Sequence, residues 1–312
     1  MAPTQPPSFS DLEYWDNRFT STSTPFDWLL PATTLDSLIL STLQSCPKPT
    51  EPKILHIGCG SSELSFRLGE LVSHPQGVWN TDYSGVVVDQ GRAMEEERLL
   101  AAQAHTTQSQ PEASGNKPTH RVNWKVLDLL DPASVAELEF IPFDLIIDKS
   151  TSDAISCGPD LPFPHNLSVT PSDRTQKDPV PPLHTLAVNL ARLTLPGSKW
   201  LSISYSADRY EFLHSLKPNP ASVNLSTETT TLIDLDSRSQ RYTSPAELWI
   251  LEKKTDIEIP PPTPPQTSTS AQSHPILTRK KKQPTAKAEE PVFRPKEVVW
   301  VYVLRRSEVG IF

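Results

Sequence analysis

Cysteine is scarce in this 312-residue chain. Cys46, Cys59 and Cys157 have no paired spacing, which excludes a disulfide framework and a zinc site and fits a reducing compartment. Positive charge is also short: the net formal charge is −8, so no concentrated basic face is expected and nucleic acid is not an obligate partner. No apolar run approaches the ~18 residues of a membrane-spanning helix. The opening "MAPTQPPSFSDLEYWDNRF" lacks the basic start and apolar core of a signal peptide. The expectation is a soluble cytoplasmic monomer with no membrane partner and no metal. Apolar residues reach only 36 %, below the share usual for a wholly globular chain, partly because the 33 prolines cluster.

What is present alternates. Residues 1–10 are rich in Pro, Ser and Thr and read as loose. "SDLEYWDNRF" reads as a short helix with an N-cap serine and Leu12, Trp15 and Phe19 on one side. A second helix carries Leu35, Leu38, Ile39 and Leu43, and Pro47, Pro49 and Pro52 precede a strand at 53–57. Further strands are expected at 77–84, ending at Asp82, at "RVNWKVLDLLD", ending near Asp128, and at "PFDLIIDKS", ending near Asp148. A long helix from 84 to 104 follows the second strand. The helix "LHTLAVNLARLTL", closed by Pro196-Gly197, leads into a fifth strand, and "AELWILEKK" and "EVVWVYVLRR" supply two more. Nearly all-apolar strands separated by helices indicate an α/β fold with a parallel sheet buried on both faces.

The segments 105–120 and 158–182 read as loops. Residues 254–296 cannot bury enough surface to offset ordering entropy and are expected to be a disordered insertion within one domain spanning 11–253 and 297–312. Its run Arg279 to Lys282 is read as solvated linker charge, with a nuclear signal or a patch for an acidic partner as alternatives.

The stretch "KILHIGCGSSELSFRL" places a glycine turn between a strand and a helix start, an arrangement in which bare backbone admits a ligand closely. The dinucleotide fingerprint needs a third glycine, and Glu63 stands there; the phosphate-loop pattern fails as well. Asp82, at the end of the second strand, can accept both hydroxyls of a ribose, which dinucleotide and nucleoside sites share. This pair alone leaves the ligand open. Asp128, closing the third strand, can accept from an adenine amino group, and two final strands in hairpin-like succession complete a seven-strand count that a nicotinamide domain does not need.

Together these features resemble class I S-adenosylmethionine-dependent methyltransferases, implying a Rossmann-like seven-stranded sheet, parallel with its last strand antiparallel. "YWDNRF", "PFDWLL", "ILHIGCGSSELS", "DYSGVVV", "FDLIIDKSTSDAI" and "VYVLRR" are similar to successive motifs of the methyltransferase-like protein-lysine methyltransferases. The branch most resembled modifies translation elongation factor 1-alpha. By that resemblance Trp15, Phe19 and Trp28 would wall in the methionine moiety, Gly58 and Gly60 would line the turn, and Asp82 would hold the ribose. Tyr83, Asp128 and Leu129 would bracket the adenine, and Lys149 would sit near the cofactor. A protein substrate is implied. Asp148 or Asp153 is expected to orient the acceptor amine or pass its proton to water, although each also reads as a helix-start acid.

The chain departs from the branch in places. His56 stands before the turn, Phe19 replaces a tyrosine, and "DKSTSDA" replaces "DKGTLDA" or "EKGTLDA", putting Ser150 for glycine and Ser152 for leucine. His56 is expected to be a satisfied strand histidine and Cys59 a small filler of the turn. The absence of an "NPPY" tetrad argues against methylation of adenine or glutamine nitrogens. Alternatives are a small-molecule methyltransferase on the same fold and a non-catalytic cofactor-binding scaffold.

Overall fold

The computed structural model describes residues 7–22, 24–108, 121–162, 179–214, 243–259 and 297–311. Seven strands form one sheet: β1 Ile54–Ile57, β2 Val78–Asp82, β3 Asn123–Val126, β4 Phe143–Lys149, β5 Thr194–Ser204, β6 Trp249–Glu258 and β7 Val298–Arg306. Their spatial order is β3-β2-β1-β4-β5-β7-β6. β1 to β5 pair in parallel, whereas β7 runs antiparallel between β5 and β6. The helices are α1 Leu12–Ser21, α2 Asp36–Gln44, α3 Leu64–Leu71, α4 Gly85–Gln108, α5 Pro132–Ala136, α6 Thr151–Ile155, α7 Pro182–Arg192 and α8 Pro245–Leu248.

The central strands are buried on both faces, whereas the edge strands β3 and β6 are partly exposed, and side-chain alternation sorts the strands between two cores. Ile54, Leu145, Ile147, Leu201, Ile203, Val301 and Val303 face one side with Ile39 and Leu43 of α2 and Leu64 and Leu68 of α3. Leu55, Ile57, Ile146, Trp200, Tyr302 and Leu304 face the other with Leu186 and Leu190 of α7. This two-sided burial explains why the strands lack a polar alternation in sequence.

Several boundaries differ from the sequence reading. Asp11, not a serine, caps α1, accepting the Glu13 N–H at 3.0 Å. Ser62 does serve α3, accepting the Leu64 N–H at 3.1 Å. Asp128 lies two residues beyond β3, in the following loop. Pro196-Gly197 does not close a helix: α7 ends at Arg192 and the pair sits in an irregularity of β5, between the residues paired with Phe143 and Leu145. β6 continues through Glu258, past the expected boundary at 253, because Lys254 to Glu258 pair with Tyr302 to Val298. The rest of the insertion, from 260 to 296, lies outside the described residues, as do most of the loops at 105–120 and 158–182.

Candidate active site

The strand order reverses between β1 and β4, and open α/β sheets bind ligands outside the strand carboxyl ends at such a reversal. A cavity of about 500 Å³ lies there. Its walls come from the loops after β1 to β5, and residues between Phe9 and Trp28 cover it.

Gly58 and Gly60 both take the left-handed conformation, φ 51°. A Cβ on Gly58 would lie 2.3 Å from Thr151 Oγ1, whereas one on Gly60 would meet nothing closer than Phe19 at 3.7 Å. Three backbone donors fix the turn and its neighbour. The Cys59 N–H donates to the Thr81 carbonyl at 2.9 Å. The Gly60 and Ser84 N–H groups donate to Asp82 Oδ2 and Oδ1, each at 3.0 Å. Asp82 therefore ties the turn to the start of α4. Each of its oxygens retains a second lone pair. Burial pushes its carboxyl up to about 6, against the opposing pull of these N–H groups. Next to it Tyr83 is half-buried, and burial raises its hydroxyl. Asp128 is exposed and accepts the Leu130 N–H at 2.9 Å, while Leu129 is buried.

The cover is aromatic. Trp15 stacks on Phe19 with centroids 5.6 Å apart and meets Trp28 edge-on at 6.2 Å. Its indole N–H donates to the Phe9 carbonyl at 2.7 Å. The Arg18 guanidinium lies 4.9 Å from the Phe26 ring centre and 5.5 Å from that of Trp28. Polar ties hold this segment down. Lys149 Nζ donates to Asp27 Oδ1 at 2.7 Å, and the Ser62 hydroxyl donates to the same oxygen. The Phe26 N–H reaches the Ser61 carbonyl at 3.2 Å. The Ser84 hydroxyl donates to Asp16 at 2.5 Å. Burial lowers the Lys149 ammonium, with Asp27 opposing.

The loop after β4 departs from expectation. Asp148 does not line the cavity; it is fully buried and serves the fold. Its Oδ1 accepts the Thr151 and Ser152 N–H groups at 3.0 and 3.1 Å, capping α6. Its Oδ2 accepts from the Ser152 hydroxyl, from Ser202 at 3.1 Å, Tyr210 at 3.2 Å and the Trp200 indole at 3.3 Å. A carboxylate so saturated cannot handle an acceptor's proton, and the expected catalytic role is withdrawn. Ser152 replaces the branch's leucine as part of this network. Asp153 does line the cavity, but Arg209 Nη2 lies 2.6 Å from its Oδ1, with the Ser204 hydroxyl at 2.5 Å and the Tyr205 N–H at 3.1 Å. It is a paired carboxylate, not a free base. Ser150 has φ 69°, which explains the branch's glycine at this position, and its buried hydroxyl oxygen has no hydrogen-bond partner.

All of Trp15, Phe19, Trp28, Gly58, Gly60, Asp82, Tyr83, Asp128, Leu129 and Lys149 border the one cavity. Glu63 does not; it pairs with Arg98 at 2.8 Å. His56 is buried, bonded to Asn80 at 3.0 Å, and burial lowers it to about 4, so it is a neutral core histidine.

No family model matches the chain. Among curated proteins it is 29 % identical over 208 residues to "Methyltransferase srdJ" of Neurospora crassa, covering 66 % of this chain and 70 % of that protein. It is 27 % identical over 210 residues to "EEF1A lysine methyltransferase 4" of Mus musculus, covering 66 % and 65 %. It is 28 % identical over 133 residues to the mitochondrial "Citrate synthase-lysine N-methyltransferase CSKMT" of Homo sapiens, covering 43 % and 51 %. The chain thus spans about two thirds of the first two relatives and half of the third. Antiparallel β7 between β5 and β6, with the cavity at the β1/β4 reversal, decides the matter alongside these relatives. The chain has the class I methyltransferase fold.

The cofactor expected for that fold is S-adenosylmethionine. The cavity suits that ligand: its volume is within the range of about 300–1,000 Å³ usual for small-molecule sites, and aromatic faces tolerate a sulfonium. The cavity is also lined or braced by residues that the sequence did not single out. Arg18 and Asp27 sit inside the motifs "YWDNRF" and "PFDWLL", so a signal existed, but helical or loop spacing does not reveal which way a side chain turns. Thr151, which donates to the Ile57 carbonyl at 2.9 Å and fills the space beside Gly58, is likewise within a quoted motif. Tyr205 and Arg209 follow β5 with no motif around them; only the fold brings them to the cavity.

Proposed function

We propose that this methyltransferase methylates a lysine side-chain amine of a protein. Two of the three relatives above carry lysine methyltransferase names, and one of these names translation elongation factor EEF1A, which makes that factor the first substrate to test. The observation that carries the reading is the β4–β5 side of the cavity. Ala154, Ile155, Pro159, Leu161 and Tyr205 line it, and its only acid there among the described residues, Asp153, is neutralised by Arg209. An apolar corridor suits the methylene stem of lysine. With no net negative charge, it offers an ammonium nothing to pair with.

That environment favours the reactive form of the acceptor. A free lysine has a pKa of about 10.4 and must lose its proton. Desolvation between Ile155 and Tyr205 lowers that pKa, and a bound cation beside it lowers it further. When bound, S-adenosylmethionine supplies a methyl group on a cationic sulfur. Trp15, Phe19 and Trp28 would wall its methionine end, Asp82 would accept the ribose hydroxyls, and Tyr83, Asp128 and Leu129 would border the adenine. The polar ties of Asp27 and Asp16 hold the aromatic cover in place, which excludes water and keeps the reactants aligned. Alignment of this kind contributes about 7–11 kcal/mol in well-oriented reactions. Neither Asp148 nor Asp153 is needed as a base; the proton leaves to water before transfer.

The test is incubation of the full chain with methyl-labelled cofactor and purified translation elongation factor 1-alpha, followed by peptide mass spectrometry. Methyl-lysine that requires active enzyme supports the reading. The same apolar lining also suits a small apolar acceptor, the second reading. Label in a small-molecule fraction of lysate, with none in protein, would favour it. Cofactor binding without any transfer would favour a scaffold.

A further inference from the structure

Among the described residues three cations line the cavity: Arg18, Lys149 and Arg209. Lys149 is spent on Asp27 at 2.7 Å, its side chain 3 % exposed, and Arg209 on Asp153 at 2.6 Å. Of these three, Arg18 alone has no carboxylate partner among the described residues. Two acids near it in sequence are engaged elsewhere: Asp11 caps α1 and Asp16 accepts from Ser84. Its guanidinium is instead laid over two electron-rich rings, Phe26 and Trp28. Contact with ring faces uses no N–H donor, and the guanidinium's N–H groups match a carboxylate in a fork. Phe26 is itself bonded to the Ser61 carbonyl, so the stack stands over the glycine turn.

S-adenosylmethionine carries one carboxylate, on its methionine moiety, and a carboxylate enclosed here without a partner would be costly. We propose that Arg18 binds that carboxylate. Lys149, which also borders the cavity, latches the aromatic cover through Asp27. The inference rests on the cofactor and not on the acceptor, so failure of lysine labelling leaves it standing.

The experiment compares two ligands by calorimetry on the full chain: S-adenosylhomocysteine, which has the carboxylate, and 5′-methylthioadenosine, which lacks the whole amino-acid end. Arg18→Met keeps the stem on the aromatic rings and removes the charge. It should weaken S-adenosylhomocysteine roughly ten- to a hundredfold and leave 5′-methylthioadenosine within twofold. Lys149→Met should weaken both ligands by similar factors, through the cover. Equal losses of both ligands in Arg18→Met, an unchanged S-adenosylhomocysteine affinity, or a loss confined to that ligand in Lys149→Met would each overturn the assignment. Should Arg18→Met not fold, the wild-type chain still answers. The methyl ester of S-adenosylhomocysteine should bind about tenfold more weakly than the acid, and equal binding would overturn the carboxylate contact.

Discussion

Gly58 and Gly60 share one backbone conformation and differ in what surrounds them, so alanine at each separates strain from collision. Both sit at φ 51°, where a non-glycine residue pays about 1–2 kcal/mol. Alanine recovers roughly 0.4–1 kcal/mol of that by restricting the unfolded chain. At Gly60 the new methyl group meets Phe19 at 3.7 Å, an ordinary contact, so Gly60→Ala should cost about 1 kcal/mol. At Gly58 it would lie 2.3 Å from Thr151 Oγ1, 2.6 Å from Cγ2 and 2.9 Å from Cβ. Thr151 must move and give up its 2.9 Å bond to the Ile57 carbonyl, a further ~1 kcal/mol or more. Gly58→Ala should therefore cost about 2 kcal/mol or more in all. Urea unfolding followed by tryptophan fluorescence measures both variants. Combining Gly58→Ala with Thr151→Ala should recover part of the loss relative to the two single variants. Equal costs at the two glycines, or strict additivity in the double variant, would show that Thr151 does not set the shape of this turn.

Asp82, raised from 3.8 to about 6 by burial, makes the fold's own stability largest below its unfolded value and lets it fall as pH rises through about 6. Affinity for S-adenosylhomocysteine should move the other way, weakening as pH drops through about 6 because the ribose hydroxyls need the ionised acid; Asp82→Asn should flatten that pH profile in a calorimetric titration. Lys149→Met leaves Asp27 without its buried cation and should destabilise the fold by about 3 kcal/mol, read from denaturant midpoints. Ser150→Gly relieves a left-handed serine and removes an unpartnered hydroxyl, and should raise the denaturant midpoint by an amount equivalent to about 1 kcal/mol. A lowered midpoint would mean that the hydroxyl has a partner in solution.

The sequence by itself determined the fold class, because all-apolar strands divided by amphipathic helices have few stable arrangements other than a two-sided parallel sheet. It also placed the glycine turn and Asp82 together, since each ends a strand and strand ends share one edge of such a sheet. Pairing along that edge was beyond it. Asp148 and Asp153 stand five residues apart in one motif, yet one sinks into a network with Ser202 and Tyr210 while the other meets Arg209 at the cavity wall. Lys149 and Asp27 are 122 positions apart and touch only because the N-terminal segment folds back across the strand ends. Which charges are spent on the protein and which remain for a ligand depends on contacts between distant segments. Local spacing carries no record of those contacts, and at this site only the tertiary structure decided that Arg18 stays free among the described residues.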